Sequence, residues 1–405
     1  MANASTDIQK LKQVVVHYPD DGIEVITPDN ALKFLYDDIV FLPKMREEHK
    51  LFTDVLSFFT GKENVLDTFQ LLKDVLEKNP DNAKSKLLDY VCDHENCDDK
   101  EHNLLASLDT ENLVYTLFTG ILKETGGLLF PPLPNYIFTR DIGVLINDHV
   151  LICNASKRAR TRESILTRCI IYYHPVFASC QEDNHKKIID MTKVSDEHTI
   201  EGGDVMMFDE NCILIGCSER STPEAFTYLK DTLLEKNVLK NVVRIVIPKD
   251  RSCMHIDTLF TQISSDEYVI YQDTLESDMI KVTQFTADGK KIEHSTLKDF
   301  FLSYKPSMKF ILCGNGDETF AAREQWTDGC NLVAVKDGVA IAYDRNERTA
   351  DAMRNAGYTI IEAEDFLAAK MRADEVEKTI ISIPSTELSR ARGGPHCMTF
   401  PILRN

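Results

Sequence analysis

Basic charge is scarce in this chain, which has 46 lysines and arginines against 65 aspartates and glutamates, a net charge of −19 over 405 residues. A general nucleic-acid binder would show a basic face, and this composition argues against one. An acidic surface suits a cationic substrate but serves solubility equally well. No apolar run approaches the roughly 20 residues of a transmembrane helix. The opening MANASTDIQKLKQVVVHYP lacks the apolar core of a secretory signal. The expectation is therefore a cytoplasmic chain. Its eleven cysteines are scattered, without signs of export, and read as reduced thiols. Cys92, His94 and Cys97 sit close together in CDHENCDDK, yet no second pair at zinc-site spacing follows. An ordinary acidic loop is the reading there, and no metal is expected.

With 43% apolar and 27% charged residues, the composition is that of a soluble globular protein of one large domain or two ordinary ones. Residues 11–27 and 126–405 read as alternating strands and helices. The part from about 45 to 125 reads as helical. His49, Phe52, Leu56 and Phe59 recur at helical spacing, as do Val65, Phe69, Leu72 and Leu76. Asn79-Pro80 stops the second run. Val114, Leu117, Phe118 and Ile121 mark a later helix after a cap at Asp109-Thr110. With no convincing strand between them, these runs suggest a helical module, residues 45–125, inserted in an α/β body of residues 1–44 and 126–405.

That body carries a faint repeat. VLICNASKRARTRESIL from Val150, ILIGCSERSTPEAFTYL from Ile213 and VAIAYDRNERTADAM from Val339 each read as strand, polar turn and helix. Repeated units of this kind suggest pseudo-symmetric modules around a common centre. Any α/β protein has such units, however, and fifteen residues match easily by accident.

Five stretches hold more polar residues and glycines than a simple fold needs. LPNYIFTRDIG places Asn135, Arg140 and Asp141 in an otherwise apolar, strand-like run, where a charged pair is costly to bury without partners. SKRARTRES offers Arg158, Arg160 and Arg162. EGGDVMMF flanks two glycines with Glu201 and Asp204. MHIDTLF sets His255 and Asp257 two apart, on one face if the segment is a strand. SRARGGPHCMTFP ends the set with Cys397. Each has a plain reading: a solvated helix start, a tight turn, a structural pair, a small buried thiol. Together they supply cysteine with histidine, the minimum for thiol nucleophilic catalysis, plus carboxylates to orient the histidine or bind a cation. Cys313 and Cys330 read as buried packing.

The ordered set FTRD, ARxRE, EGGDV, HxDTLF and GGPHCMTFP closely resembles the arginine deiminases of the guanidino-group-modifying superfamily, over residues 135 to 404. The helical stretch falls where those enzymes carry an inserted helical bundle. The resemblance implies an α/β fold, a five-fold pseudo-symmetric α/β propeller with that insertion. It implies hydrolysis of L-arginine to L-citrulline and ammonia, with no cofactor. Carried over by motif, Cys397 is the nucleophile, His255 the general acid/base and Glu201 its partner. Asp141 and Asp257 hold the guanidinium. Arg160, Arg220, Arg392 and Asn135 match positions that recognise the α-carboxylate end, and Asp204 matches a polar position of the site. Ala391 stands where many members have glycine, and its carbonyl can meet the substrate's amino group if alanine tolerates the backbone angles. Rival readings are a hydrolase of agmatine, methylated arginine or citrulline, or a catalytically silent arginine-binding protein. A homo-oligomer stays open.

Overall fold

The computed structural model describes residues 2–369 and 371–405. The chain opens with β1 (Leu11–Val16), α1 (Leu42–Thr60) and β2 (Val65–Asp67), followed by α2 (Thr68–Lys78), α3 (Ser85–Glu95), α4 (Asp99–Ser107) and α5 (Thr110–Thr119). Next come β3 (Gly143–Ile146), β4 (His149–Ile152), α6 (Thr161–Tyr173), α7 (Ala178–His185) and β5 (Ile188–Asp190). After them run β6 (Val205–Asp209), β7 (Cys212–Cys217), α8 (Pro223–Glu235) and β8 (Asn241–Val246). The segment that follows holds β9 (Phe260–Ser264), β10 (Glu267–Ile270), β11 (Lys281–Thr286), β12 (Lys291–His294), α9 (Leu297–Tyr304) and β13 (Lys309–Leu312). The last has α10 (Glu318–Trp326), β14 (Val333–Lys336), β15 (Val339–Tyr343), α11 (Glu347–Asn355), β16 (Thr359–Glu362), α12 (Ala363–Ala368), β17 (Thr379–Ile383) and β18 (Phe400–Arg404).

These strands form five small mixed sheets. One plan recurs in each: an antiparallel pair, a crossover containing a helix, then a strand parallel to the second of the pair. The pairs β3–β4, β6–β7, β9–β10 and β14–β15 continue to β5, β8, β13 and β17 respectively. In the fifth sheet, β18 from the end of the chain pairs antiparallel with β1 from its beginning, and β2 completes it through α1. The crossovers explain the sequence pattern. Strands covered on both faces need continuous apolar runs rather than alternation, and every residue of CILIGC in β7 and VAIAY in β15 is buried. The three strand–turn–helix stretches of the faint repeat are β4 to α6, β7 to α8 and β15 to α11.

Within residues 45–125 the helices fall into two groups. Phe52, Val55 and Leu56 of α1 pack with Val333, Ile341 and Ile381 of the strands. By contrast, Leu72, Leu88, Val91, Leu117 and Phe118 of α2, α3 and α5 share a core with Leu166 and Ile170 of α6. A strand where none was convincing, β2, lies between them. Three residues are too few to show a period of two, and Val65 also fits the helical spacing. Asp67 ends that strand and caps α2 by accepting the Phe69 N–H at 2.8 Å. Asp109 caps α5, but Gly120 at φ 74° ends it, leaving Ile121 outside the helix. No helix among the described residues is long and apolar enough to cross a membrane.

What the fold does for the site lies in the turns that enter the five antiparallel pairs. The turn before β3 carries Asp141, and the one before β6 carries Glu201 and Asp204. The turn before β9 holds His255 and Asp257, the one before β14 Asp328 and Asn331, and the one before β18 Cys397.

Candidate active site

Two of these turns depart from the strand-like reading of their sequences. Pro134–Ile137 is a 3-10 turn, and pairing begins only at Gly143. Ile256–Thr258 is likewise a 3-10 turn, because the Thr258 hydroxyl donates back to the His255 carbonyl at 2.7 Å, a local bond that competes with a ladder. His255 and Asp257 thus reach the site from a turn rather than from one face of a strand. Gly202–Asp204 forms the tight turn its glycines suggested. A Cβ at Gly203 would lie 2.6 Å from His255 Nδ1, so glycine lets the imidazole seat against the backbone.

The C-terminal turn works differently from its composition. Its left-handed residue is Arg392, at φ 60°, while Gly393 and Gly394 have no such angle. They are needed for close approach: a Cβ at Gly393 would enter the Phe138 ring, and one at Gly394 would lie 2.6 Å from Asn331 Oδ1. Ala391 sits in the 3-10 turn Leu388–Ala391, buried and without a positive φ, so alanine is accommodated there.

Asn135, Asp141, Arg160, Arg220, His255, Ala391, Arg392 and Cys397 line one small cavity together with Leu35, Phe138, Met254 and Thr258. Glu201, Asp204 and Asp257 stand directly behind, each with no solvent exposure. His255 Nε2 bonds to Glu201 Oε2 at 2.9 Å, and its Nδ1 lies 3.8 Å from Asp141 Oδ1. Burial pushes the imidazole pKa down, but the Asp141 charge, the Glu201 hydrogen bond and the Asp204 charge outweigh it and raise it to about 10. Burial pushes Glu201 up, yet its bond to His255 and the charges of Arg160 and Arg220 hold it well below the usual carboxylate range. Cys397 Sγ lies 3.4 Å from Asp257 Oδ2. Burial, then the charges of Asp257, Asp141 and Asp328, push this thiol well above its ordinary pKa.

Asp204 serves the frame of the site. Its Oδ2 accepts the Ser218 hydroxyl at 2.6 Å and its Oδ1 the Ile256 N–H at 3.0 Å, fastening the turn that carries His255 and Asp257. Burial raises its pKa to about 6. Arg160 lies among carboxylates, with Nη1 at 2.7 Å from Asp141 Oδ2 and 3.3 Å from Glu201 Oε2, and Nη2 at 2.8 Å from Glu163. Arg220 Nη1 lies 3.5 Å from Glu201 Oε2. Arg392 stacks on Trp326, 3.4 Å from its ring centroid, and Asn135 donates to the Phe34 carbonyl at 2.6 Å.

Three contributors escaped the sequence reading. Asn331 accepts the Cys397 N–H at 3.1 Å and donates to the Asp257 carbonyl at 3.0 Å, tying the Cys397 turn to the Asp257 turn. His396 Nδ1 bonds Asp257 Oδ2 at 2.9 Å, and Glu163 holds Arg160. A lone Asn in GCNLV carries no signal; the histidine beside Cys397 and the glutamate three after Arg160 were visible within quoted motifs.

Among the described residues, Asp141, Glu201 and His255 are the group whose ligand atoms lie close enough to share an ion, within 4.8 Å. Arg160 stands against Asp141 Oδ2, and both Arg160 and Arg220 stand against Glu201 Oε2, while Asp141 Oδ1 has no hydrogen-bond partner. Cys92 and Cys97 meet instead in the C-cap of α3, the Cys97 N–H donating to the Cys92 carbonyl at 2.9 Å. Cys313 and Cys330 are fully buried.

The arginine deiminase family model matches residues 110–404. The arginine deiminase of Limosilactobacillus reuteri is 32% identical over 430 residues, covering 99% of this chain and 98% of its own. That of Listeria monocytogenes is 30% identical over 432 residues, covering 99% and 97%. A solved structure of DDAH from Pseudomonas aeruginosa, complexed with citrulline, shares the fold at 13% identity and a TM-score of 0.51, covering 96% of this chain and 99% of that one. On sequence, over most of its length, this chain belongs to the arginine deiminase family.

Proposed function

We propose that this protein hydrolyses L-arginine to L-citrulline and ammonia through a covalent intermediate on Cys397. The observation that carries the reading is a pair of buried carboxylate oxygens, Asp141 Oδ1 and Asp257 Oδ1, that have no hydrogen-bond partner beside a cysteine and a histidine. A buried acceptor left open costs roughly 1–3 kcal/mol. Two such acceptors suit a planar cation with N–H groups on both edges, which a guanidinium is.

The guanidinium resists attack because its charge is delocalised, so it must be held in plane with its carbon against the sulfur. Its positive charge, placed between Asp141 and Asp257, offsets the charges that keep the Cys397 thiol protonated. The thiol loses its proton to water, and Sγ bonds to the guanidinium carbon. The proton on His255 Nδ1 passes to the departing nitrogen as the C–N bond breaks, releasing ammonia. Neutral His255 then takes a proton from water, which attacks the thiouronium carbon. The C–S bond breaks with its electron pair returning to Sγ, and the hydroxyl proton of the new urea restores the Cys397 thiol through water, leaving citrulline. Glu201 steadies the imidazolium in the first half of this cycle.

Because they line the cavity, Arg220, Arg392 and Ala391 are assigned in this reading to the amino-acid end of the substrate, and Arg160 joins them once the substrate cation takes its place at Asp141. The cavity has about 30 Å³ of free space, too little for arginine. Binding therefore moves Arg160, or the segment bearing Leu35, which Asp37 and Asp38 pin to Arg251 and Arg390. We further read the five sheets as blades of a five-fold pseudo-symmetric α/β propeller, with only the helices α2 to α5 of the 45–125 stretch inserted, since α1 and β2 belong to the fifth sheet. Support comes from the recurring sheet plan and the five polar turns. Citrulline and ammonia release from L-arginine, with agmatine and methylated arginines in parallel, tests the reading. Product from arginine alone is expected; turnover of agmatine, which has no carboxylate, would displace arginine as the substrate.

A further inference from the structure

Away from this site, between α3 and α6, lies a cavity of about 270 Å³ with Leu87, Ile165 and Cys169 in its wall. Three cations line it: Lys86, Arg168 and Lys193. The Arg168 guanidinium lies close to two rings, 4.8 Å from the Tyr90 centroid and 5.9 Å from that of Tyr172. Lys193 Nζ donates to the Tyr172 hydroxyl at 2.7 Å, and Lys86 Nζ to the Tyr173 hydroxyl at 3.5 Å. One carboxylate, Asp190, sits beneath, 3.3 Å from Arg168 Nε and 3.6 Å from Lys193 Nζ. Among the described residues no carboxylate lines the cavity itself. In a chain of net charge −19 this is a local inversion of sign, three cations against one buried anion.

We propose that this cavity binds a phosphate monoester carried on a small apolar or aromatic body. Such a group is close to a dianion at neutral pH and matches the two charges that Asp190 leaves uncompensated. Arg168 uses its Nε on Asp190, which leaves the two outer nitrogens of the guanidinium for the paired hydrogen bonds that a phosphate accepts. Ammonium groups on either side supply further donors. The wall of Leu87, Ile165 and Cys169 gives the ester's carbon body an apolar seat, which inorganic phosphate cannot use.

Isothermal titration of the full chain with phenyl phosphate and AMP tests this, with phenol and inorganic phosphate as controls. Saturable binding of both esters is expected, tighter than either control. Lys86→Glu should weaken it about tenfold or more, with melting temperature and citrulline release unchanged, since Lys86 is exposed and takes no part in the reaction. Arg168→Gln should weaken it at least as much. No binding of either ester at millimolar concentration would overturn the proposal. Equal binding to wild type and Lys86→Glu would overturn it too, by placing the anion elsewhere, as would inorganic phosphate binding as tightly as the esters.

Discussion

His255 has two kinds of neighbour, and they pull its charge in opposite directions. Burial disfavours the imidazolium, while Asp141, Glu201 and Asp204 favour it and prevail, with the pKa raised to about 10. A charged histidine bonded through Nε2 to Glu201 can only work through Nδ1, the atom that faces Asp141. Glu201→Gln removes the charge and leaves only a weaker, neutral acceptor for the imidazole N–H. The alkaline limb of the citrulline-release profile should then move to lower pH, with turnover falling roughly 10²–10⁴-fold. An unchanged alkaline limb would mean that His255 is not the titrating acid. At this scale most of the site was legible, because cysteine, histidine and carboxylates announce their chemistry by type. What was not legible was the reason for particular glycines. Glycine permits both unusual angles and close backbone approach, and only the second applies to Gly393 and Gly394, which make room for Phe138 and Asn331 while Arg392 is the left-handed residue.

Elements hold these side chains in place through contacts between turns, which sequence periodicity does not report. Asn331 links the Cys397 and Asp257 backbones across 66 and 74 positions. Asn331→Ala should leave a buried N–H and carbonyl unpaired, costing about 1–3 kcal/mol. A fall in melting temperature together with a lower kcat is expected; unchanged kcat would show that the link does not position the thiol. Arg162 plays the corresponding part for α6. Fully buried, it pairs with Glu95 of α3, donates to the Leu117 carbonyl at 3.1 Å and lies 4.4 Å from the Phe130 ring centroid. Truncation to alanine leaves Glu95 without its partner and opens a void, a loss of about 3–5 kcal/mol. Chemical denaturation should show it as a lower midpoint. In SKRARTRES nothing distinguished the three arginines except spacing. Arg160 reaches the carboxylates, Arg162 is structural, and Arg158 donates to the His94 carbonyl at 2.9 Å.

Across the whole molecule, one plan repeated five times brings chemistry from distant parts of the chain to one place. The faint repeat showed three of the five units. The others escaped for physical reasons: β10 is separated from its helix by the hairpin β11–β12, and the fifth sheet joins the two ends of the chain. Gathering so many carboxylates around one imidazole also makes stability depend on pH. His255 holds its proton in the folded chain up to about pH 10, but an unfolded histidine releases it near 6.5. Between those values the folded state binds the extra proton, so stability falls as pH rises. This contribution is complete below about pH 6.5 and is lost through pH 10. Denaturation midpoints should decline over that window, and decline less in His255→Ala. The central claim, that Cys397 carries the reacting carbon, is tested most directly by acid-quenching the enzyme during turnover of L-arginine and mapping adducts by mass spectrometry. The Cys397 peptide should gain the mass of arginine less ammonia, and Cys397→Ser should bind arginine yet release no citrulline. Citrulline formation by Cys397→Ser at an undiminished rate would contradict the account.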